Sequence, residues 1–137
     1  MSKPAPRPTE TELSILRILW DHGPCRVREV VEELARERGG DVGYTTALKL
    51  LQLMHEKGLV IRDESERSHT YAARHPREKM QRQVVKSLAD KLFGGATARL
   101  ALHALSAEEA SADDLAEIRR LLDRLESENP EPKEKET

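Results

Sequence analysis

The chain has 137 residues, 35% of them charged and only 3% aromatic, enough for one domain or two small ones but with few large side chains to build a core, so self-association is expected. A single cysteine, Cys25, excludes an intrachain disulfide and a cysteine-pair zinc site, and no apolar run approaches the ~18 residues of a membrane span. The net charge is -2 and neither half is basic, residues 1–76 carrying 12 Lys+Arg against 12 Asp+Glu and residues 77–137 carrying 11 against 13, so any grip on a polyanion has to rest on where the cations sit.

Residues 1–8, MSKPAPRP, combine three prolines with two cations and read as a disordered arm. They lack the apolar stretch of a signal peptide, and a cytoplasmic location is expected. Thr9 and Glu12 have the spacing of a capping box, which starts a helix running to about His22. Leu13, Leu16 and Trp20 make its main stripe, and Ile15, Ile18 and Leu19 carry the apolar surface most of the way round, as in a helix packed from several sides. Gly23-Pro24 stops it. Val27, Val30, Val31 and Leu34 then mark a second amphipathic helix that ends near Arg38 at the Gly39-Gly40 pair, with Cys25 as an inert small residue in the turn between the two.

The third helix is expected over Tyr44 to Lys57, YTTALKLLQLMHEK, ending at Gly58. At about 100° per residue, Ala47, Leu50, Leu51 and Met54 fall on one side, and Thr45, Lys49, Gln52 and Glu56 fall on the other. The outer face is hydroxyl, amide and ammonium at its start and acidic only in its last turn, which suits a helix presented N-terminus first to nucleic acid; an ordinary solvated face has the same look. Beyond Gly58 the helical period is lost. Leu59 to Arg62 and Ser68 to Ala72 read as two short strands joined by a polar turn, Asp63 to Arg67. Three helices and a two-stranded hairpin are the order of a winged helix-turn-helix, a unit that serves both to bind DNA and to bind proteins.

Pro76 suits the first turn of a further helix, in which Met80, Val84, Leu88 and Leu92 recur every four residues and end at Gly94-Gly95. A short alanine-rich helix is expected from about Ala96 to Leu105. Ser111 with Asp114 caps a last helix, whose Leu115, Ile118, Leu122 and Leu125 have the 3-4-3 spacing of a helix-pairing seam. A seam this short cannot hold a free coiled coil, so these three helices are expected to pair with the same three of a second chain through Val84, Leu88, Leu92, Leu115, Ile118, Leu122 and Leu125. Residues 127–137 read as a disordered charged tail. The resulting expectation is a mainly α chain: an arm (1–8), a winged-helix unit (9–75), a helical dimerisation unit (76–126) and a tail (127–137).

The segments TETELSILRILW, VREVVEEL, YTTALKLLQLMHEKGLVIR, RSHTY and LFGGATARLALHALS, in this order and spacing, resemble the penicillinase-repressor (BlaI/MecI/CopY) family of bacterial transcriptional regulators, over roughly residues 9–126. The resemblance implies a winged-helix DNA-binding unit, a helical dimerisation unit and repression of a dyad-symmetric operator of double-stranded DNA by a homodimer. Tyr44, Thr45 and Thr46 match the start of that family's recognition helix, Lys49 and Gln52 lie on its groove-facing side, and Arg67 and His69 match its wing. The chemistry agrees: threonine meets phosphate or thymine, Gln52 pairs with adenine, and Lys49 and Arg67 hold phosphate or guanine. Leu48 and Leu53 are either buried against the wing or apolar contacts to thymine methyls.

Three departures from the family are visible. Glu66 stands in the wing turn where glycine is common. The cysteine motif of copper-responsive members is missing, and His103-Ala104 stands where antibiotic-responsive members are cleaved at an Asn-Phe bond. An upstream sensor or protease therefore stays open as a partner. His22, His55, His69, His75 and His103 have no metal-ligand spacing, and no phosphate loop, nucleophile triad or pair of catalytic carboxylates occurs, so no metal, no cofactor and no enzymatic activity are expected. The alternative to a repressor is a winged-helix module that docks on a protein and has no affinity for DNA.

Overall fold

The computed structural model describes residues 7–38 and 42–129. The first six residues of the expected arm, the Gly39-Gly40 pair and the tail from residue 130 onward lie outside the described residues. In chain order the elements are α1 (Glu10–His22), β1 (Cys25–Arg26), α2 (Val27–Arg38), α3 (Tyr44–Lys57), β2 (Val60–Asp63), β3 (Thr70–Ala73), α4 (Arg77–Phe93), α5 (Thr97–Ala107) and α6 (Ala112–Glu128). This is a winged helix-turn-helix followed by three helices.

Helix α1 starts as its sequence dictates. The Thr9 hydroxyl accepts from the Glu12 amide (3.2 Å), and the Glu12 carboxylate accepts from the Thr9 amide (2.9 Å), closing the capping box. Its buried apolar side chains are Ile15, Leu16, Ile18 and Leu19, whereas Leu13 and Trp20 are only partly buried. The burial is thus centred one residue away from the expected stripe, because α2 and the sheet cover that side while Leu13 and Trp20 face α4 across an open cleft shared with Met80 and Val84.

The sheet has three strands in the order β1-β3-β2, all antiparallel, with Cys25 opposite Tyr71 and Val60 opposite Ala73. Strand β1 corrects the sequence expectation of a plain turn at Cys25. Two residues carry no period of their own, and they become a strand only because β3 offers an edge. Cys25 is buried there, its thiol donates to the Gly23 carbonyl (3.3 Å), and burial together with Glu29 and Glu33 pushes its pKa above the usual thiol value. Such a thiol stays protonated and unreactive. The hairpin is also displaced by one or two residues, β2 ending at Asp63 and β3 beginning at Thr70.

One core, built from α1, α2, α3 and the sheet, includes Leu34, Leu51, Met54, Leu59, Val60 and Tyr71, and it takes in Met80 from the first turn of α4. The next two helices differ. Helices α5 and α6 contain no buried residue at all. Helix α5 lies against α4 and runs two residues past its expected end, to Ala107, and the Ser111 hydroxyl caps α6 by accepting from the Asp114 amide (3.0 Å). Helix α6 itself continues to Glu128, through the first two residues expected to belong to the tail.

Candidate nucleic-acid interface

Helix α3 presents two faces. Ala47, Leu51 and Met54 are fully buried and Leu50 is half-buried, while Tyr44, Thr45, Thr46, Lys49, Gln52 and Glu56 are exposed. Every residue of this helix expected to contact DNA is therefore exposed. Leu48 is half-buried against the core, and Leu53 is 42% exposed. The two leucines thus part company: Leu48 is packing, whereas Leu53 lies on the open side, available for an apolar contact.

The first turn of α3 carries no acidic residue, and its N-cap, Gly43, supplies no side chain to bind the free amides there. A helix start in that state is a weak anion site by its dipole and its unpaired N–H groups. The other end is held firmly. Lys57, in the last turn, donates to both oxygens of the buried Glu12 carboxylate (2.8 and 2.9 Å), fastening the C-terminal end of α3 to the first turn of α1 across 45 positions of sequence. Burial pushes the Glu12 pKa up, but the Lys57 ammonium and the Thr9 amide outweigh it and leave the group below its ordinary value.

The wing turn closes on a side chain, not on a glycine. The Asp63 carboxylate accepts from the Ser65 amide (2.9 Å), a bond that lowers the Asp63 pKa, and no non-glycine residue among those described has a positive φ. Glu66 in place of the family's usual glycine therefore brings no backbone strain here. Its charge is also answered: Glu66 pairs with Arg26 of β1 (3.7 Å) and Glu64 pairs with Arg62 (2.6 Å). Arg67 and His69 sit beyond these pairs, exposed, on the side of the wing that faces the N-terminal ends of α2 and α3.

A polar groove of about 370 Å³ joins these parts, lined among others by Arg28, Tyr44, Leu48, Arg67, Ser68 and His69. It brings together three of the expected residues, Tyr44, Arg67 and His69; Thr45, Thr46, Lys49 and Gln52 lie on the adjoining open face of α3 and not in the groove itself. Neither Lys49, Arg67 nor Arg28 has an acidic partner among the described residues. Arg28 escaped the sequence reading because it stands beside Glu29 in the first turn of α2, where nothing local marks it out; only the approach of α2 to α3 and the wing brings it into the groove.

The residues expected to pair two chains also divide. Val84 packs on the core of its own chain, so it is a partly occupied position, and its neighbour Val85, 44% exposed, is the one left open. Leu88, Leu92, Leu115, Leu122 and Leu125 are between 39% and 66% exposed, and Ile118 is half-buried. Among the described residues no cluster of His, Cys, Asp and Glu has the arrangement of a metal site, and no helix is long and apolar enough to cross a membrane.

The family model described as penicillinase repressor matches residues 8–124. The transcriptional regulator BlaI of Mycobacterium tuberculosis is 32% identical over 120 residues, covering 86% of this chain and 84% of that protein. The penicillinase repressor of Staphylococcus aureus is 23% identical over 111 residues, 81% of this chain and 86% of that protein. Among solved structures, that of the DNA-binding domain of the repressor BlaI is similar at 22% identity and a TM-score of 0.47, covering 58% of this chain and 93% of that one. With a match across 8–124 and its open-faced third helix beside a wing, this chain belongs to the penicillinase-repressor family, winged-helix transcriptional repressors and not enzymes.

Proposed function

We propose that the protein is a homodimeric repressor that occupies a dyad-symmetric operator, placing its two α3 helices in successive major grooves about 34 Å apart on one side of the duplex. The observation that carries this reading is the uncovered Thr45 to Gln52 face of α3, flanked by the cations Lys49, Arg28 and Arg67 without acidic partners among the described residues. Thr45, Thr46, Lys49 and Gln52 meet base edges and phosphates from within the groove. Arg28, Tyr44, Arg67 and His69 hold the backbone on either side of it. A nearly neutral chain grips a polyanion in this way because two acids of its wing turn are paired with cations, Glu66 with Arg26 and Glu64 with Arg62, because Glu56 lies in the last turn of α3 away from its N-terminal end, and because symmetry doubles each interaction.

The dimer rests on a second observation. Helices α5 and α6 contain no fully buried residue, yet carry Leu102, Leu105, Leu115, Leu121, Leu122 and Leu125 half-exposed. A 17-residue helix packed this sparsely is marginal in water, so its apolar stripe needs a partner.

Titration of DNA from upstream of the protein's own gene, followed by fluorescence anisotropy at several salt concentrations, tests the reading. Saturable binding with a steep salt slope is expected. Lys49→Ala should weaken binding and make the slope shallower by about one unit for each phosphate left without its ammonium partner. A protein that binds no duplex at modest salt is the protein-docking module instead, for which the exposed Leu53 would be the natural contact.

A further inference from the structure

The last turn of α1 is fastened to the short stretch where the wing gives way to α4. The Trp20 indole N–H donates to the His75 carbonyl (3.0 Å). The Arg77 guanidinium lies over the Trp20 ring, 5.7 Å from its centre, and pairs with Asp21. Between these two points Pro76 fixes the backbone at φ -60°, and just before them the Arg74 amide donates to the carbonyl of Leu59 (3.0 Å), the residue that follows the glycine ending α3. Residues 74–77 are therefore held from α1 on one side and from the start of the chain beyond α3 on the other.

Beyond this point α4 soon leaves its own core. Met80 is buried and Val84 partly so, but Val85, Leu88 and Leu92 are open. Helix α4 has 17 residues, about 25 Å of length at 1.5 Å per residue. A tilt of about 10° at its base moves its far end by roughly 4 Å, close to the ~3.4 Å rise of one base pair. In a dimer joined through the C-terminal helices, the angle at which α4 departs thus sets how far apart the two α3 helices stand.

We propose that Trp20, Asp21 and Arg77 form a latch that fixes the departure angle of α4 and so selects the spacing between operator half-sites; this rests on the dimeric repressor reading above. None of the three touches DNA. They are positioning residues that read the distance between half-sites and not their sequence.

Trp20→Phe keeps an aromatic ring and removes the N–H, and Asp21→Asn removes the charge that steers Arg77. Each variant and the wild type are titrated, at one salt concentration, against three kinds of duplex: the footprinted operator, the same operator with one base pair inserted or deleted between its half-sites, and an isolated half-site. Melting temperature and sedimentation are recorded alongside. The wild type should prefer the natural spacing over the altered ones by about ten-fold or more. The variants should stay folded and dimeric, bind the half-site within about two-fold of wild type, and lose most of the spacing preference. Equal losses on half-site and full operator, or an unchanged spacing preference in both variants, would overturn the latch. A wild type that binds no duplex, or sediments as a monomer, overturns the underlying repressor reading instead and takes the latch with it.

Discussion

Glu12 does two jobs with one carboxylate. It closes the capping box of α1 and, almost fully buried, holds the ammonium of Lys57 at the end of α3. Its folded pKa is lowered from 4.5, so its ionised form contributes stability above the unfolded value, and that contribution is lost as pH falls through the folded value. Glu12→Gln should therefore destabilise the protein at pH 7 by about 2 kcal/mol, less than the ~3–5 kcal/mol of a fully buried broken pair because the Lys57 side chain is 35% exposed and can rehydrate. The gap to wild type should shrink on acidification from about pH 5 downward, once the wild-type carboxylate protonates. His75, whose pKa is lowered by burial and by Lys79 and Arg74, also costs stability in acid, but equally in both proteins. Thermal melts from pH 7 to pH 3 measure the difference, and a gap independent of pH would show the carboxylate to be serving only as a cap. The capping box was legible in the sequence, because its two residues are three apart and interact through the local helix geometry. The ion pair was not, because nothing local in Lys57 points to a partner 45 positions earlier.

At the scale of elements, the helices could be read because each carries its own period and its own stops, whereas the sheet needed its neighbours. Strand β1 exists only as a partner of β3, and the hairpin ends moved because Asp63 and Thr70 face each other in register. The same division holds for the elements proposed to face DNA. The exposed side of α3 follows from periodicity, while the groove that gathers Arg28 with Tyr44, Arg67 and His69 depends on how α2, α3 and the wing are brought together. Gly58 is the joint that makes that assembly possible. It has φ +84°, its amide donates to the His55 carbonyl, and the next amide, Leu59, donates to Met54, so the chain turns at once from α3 into β2. An added Cβ would meet nothing within 4 Å, so the penalty for replacing this glycine is conformational alone. Gly58→Ala should cost about 1 kcal/mol in urea denaturation, and Gly58→Asn less, since asparagine tolerates the left-handed region better. An Ala variant as stable as wild type would mean that the α3–β2 joint relaxes to another conformation, and the position of α3 against the wing would then have to be measured afresh.

Across the whole molecule, apolar side chains are distributed unevenly. The residues up to Met80 share one core, and after Ala89 no described side chain is fully buried and most leucines are exposed. Under the dimer proposed above, such a chain has one half that is stable by itself and one half whose order depends on association. Leu122, 52% exposed and placed in the middle of α6, separates the two contributions. Leu122→Asp lies outside the winged-helix core, which should keep its melting transition. In the proposed dimer the same change sets two carboxylates into an apolar seam, and the chain should sediment as a monomer with a helical signal reduced by roughly the length of α6. Operator affinity should fall with it by at least about a hundred-fold, since two half-sites joined through one dimer gain an effective concentration that separate monomers lack, while affinity for an isolated half-site should be unchanged. Loss of half-site binding as well would place α6 in the structure of the winged helix itself, and a variant that stays dimeric would move the interface away from α6 toward the exposed face of Val85, Leu88 and Leu92.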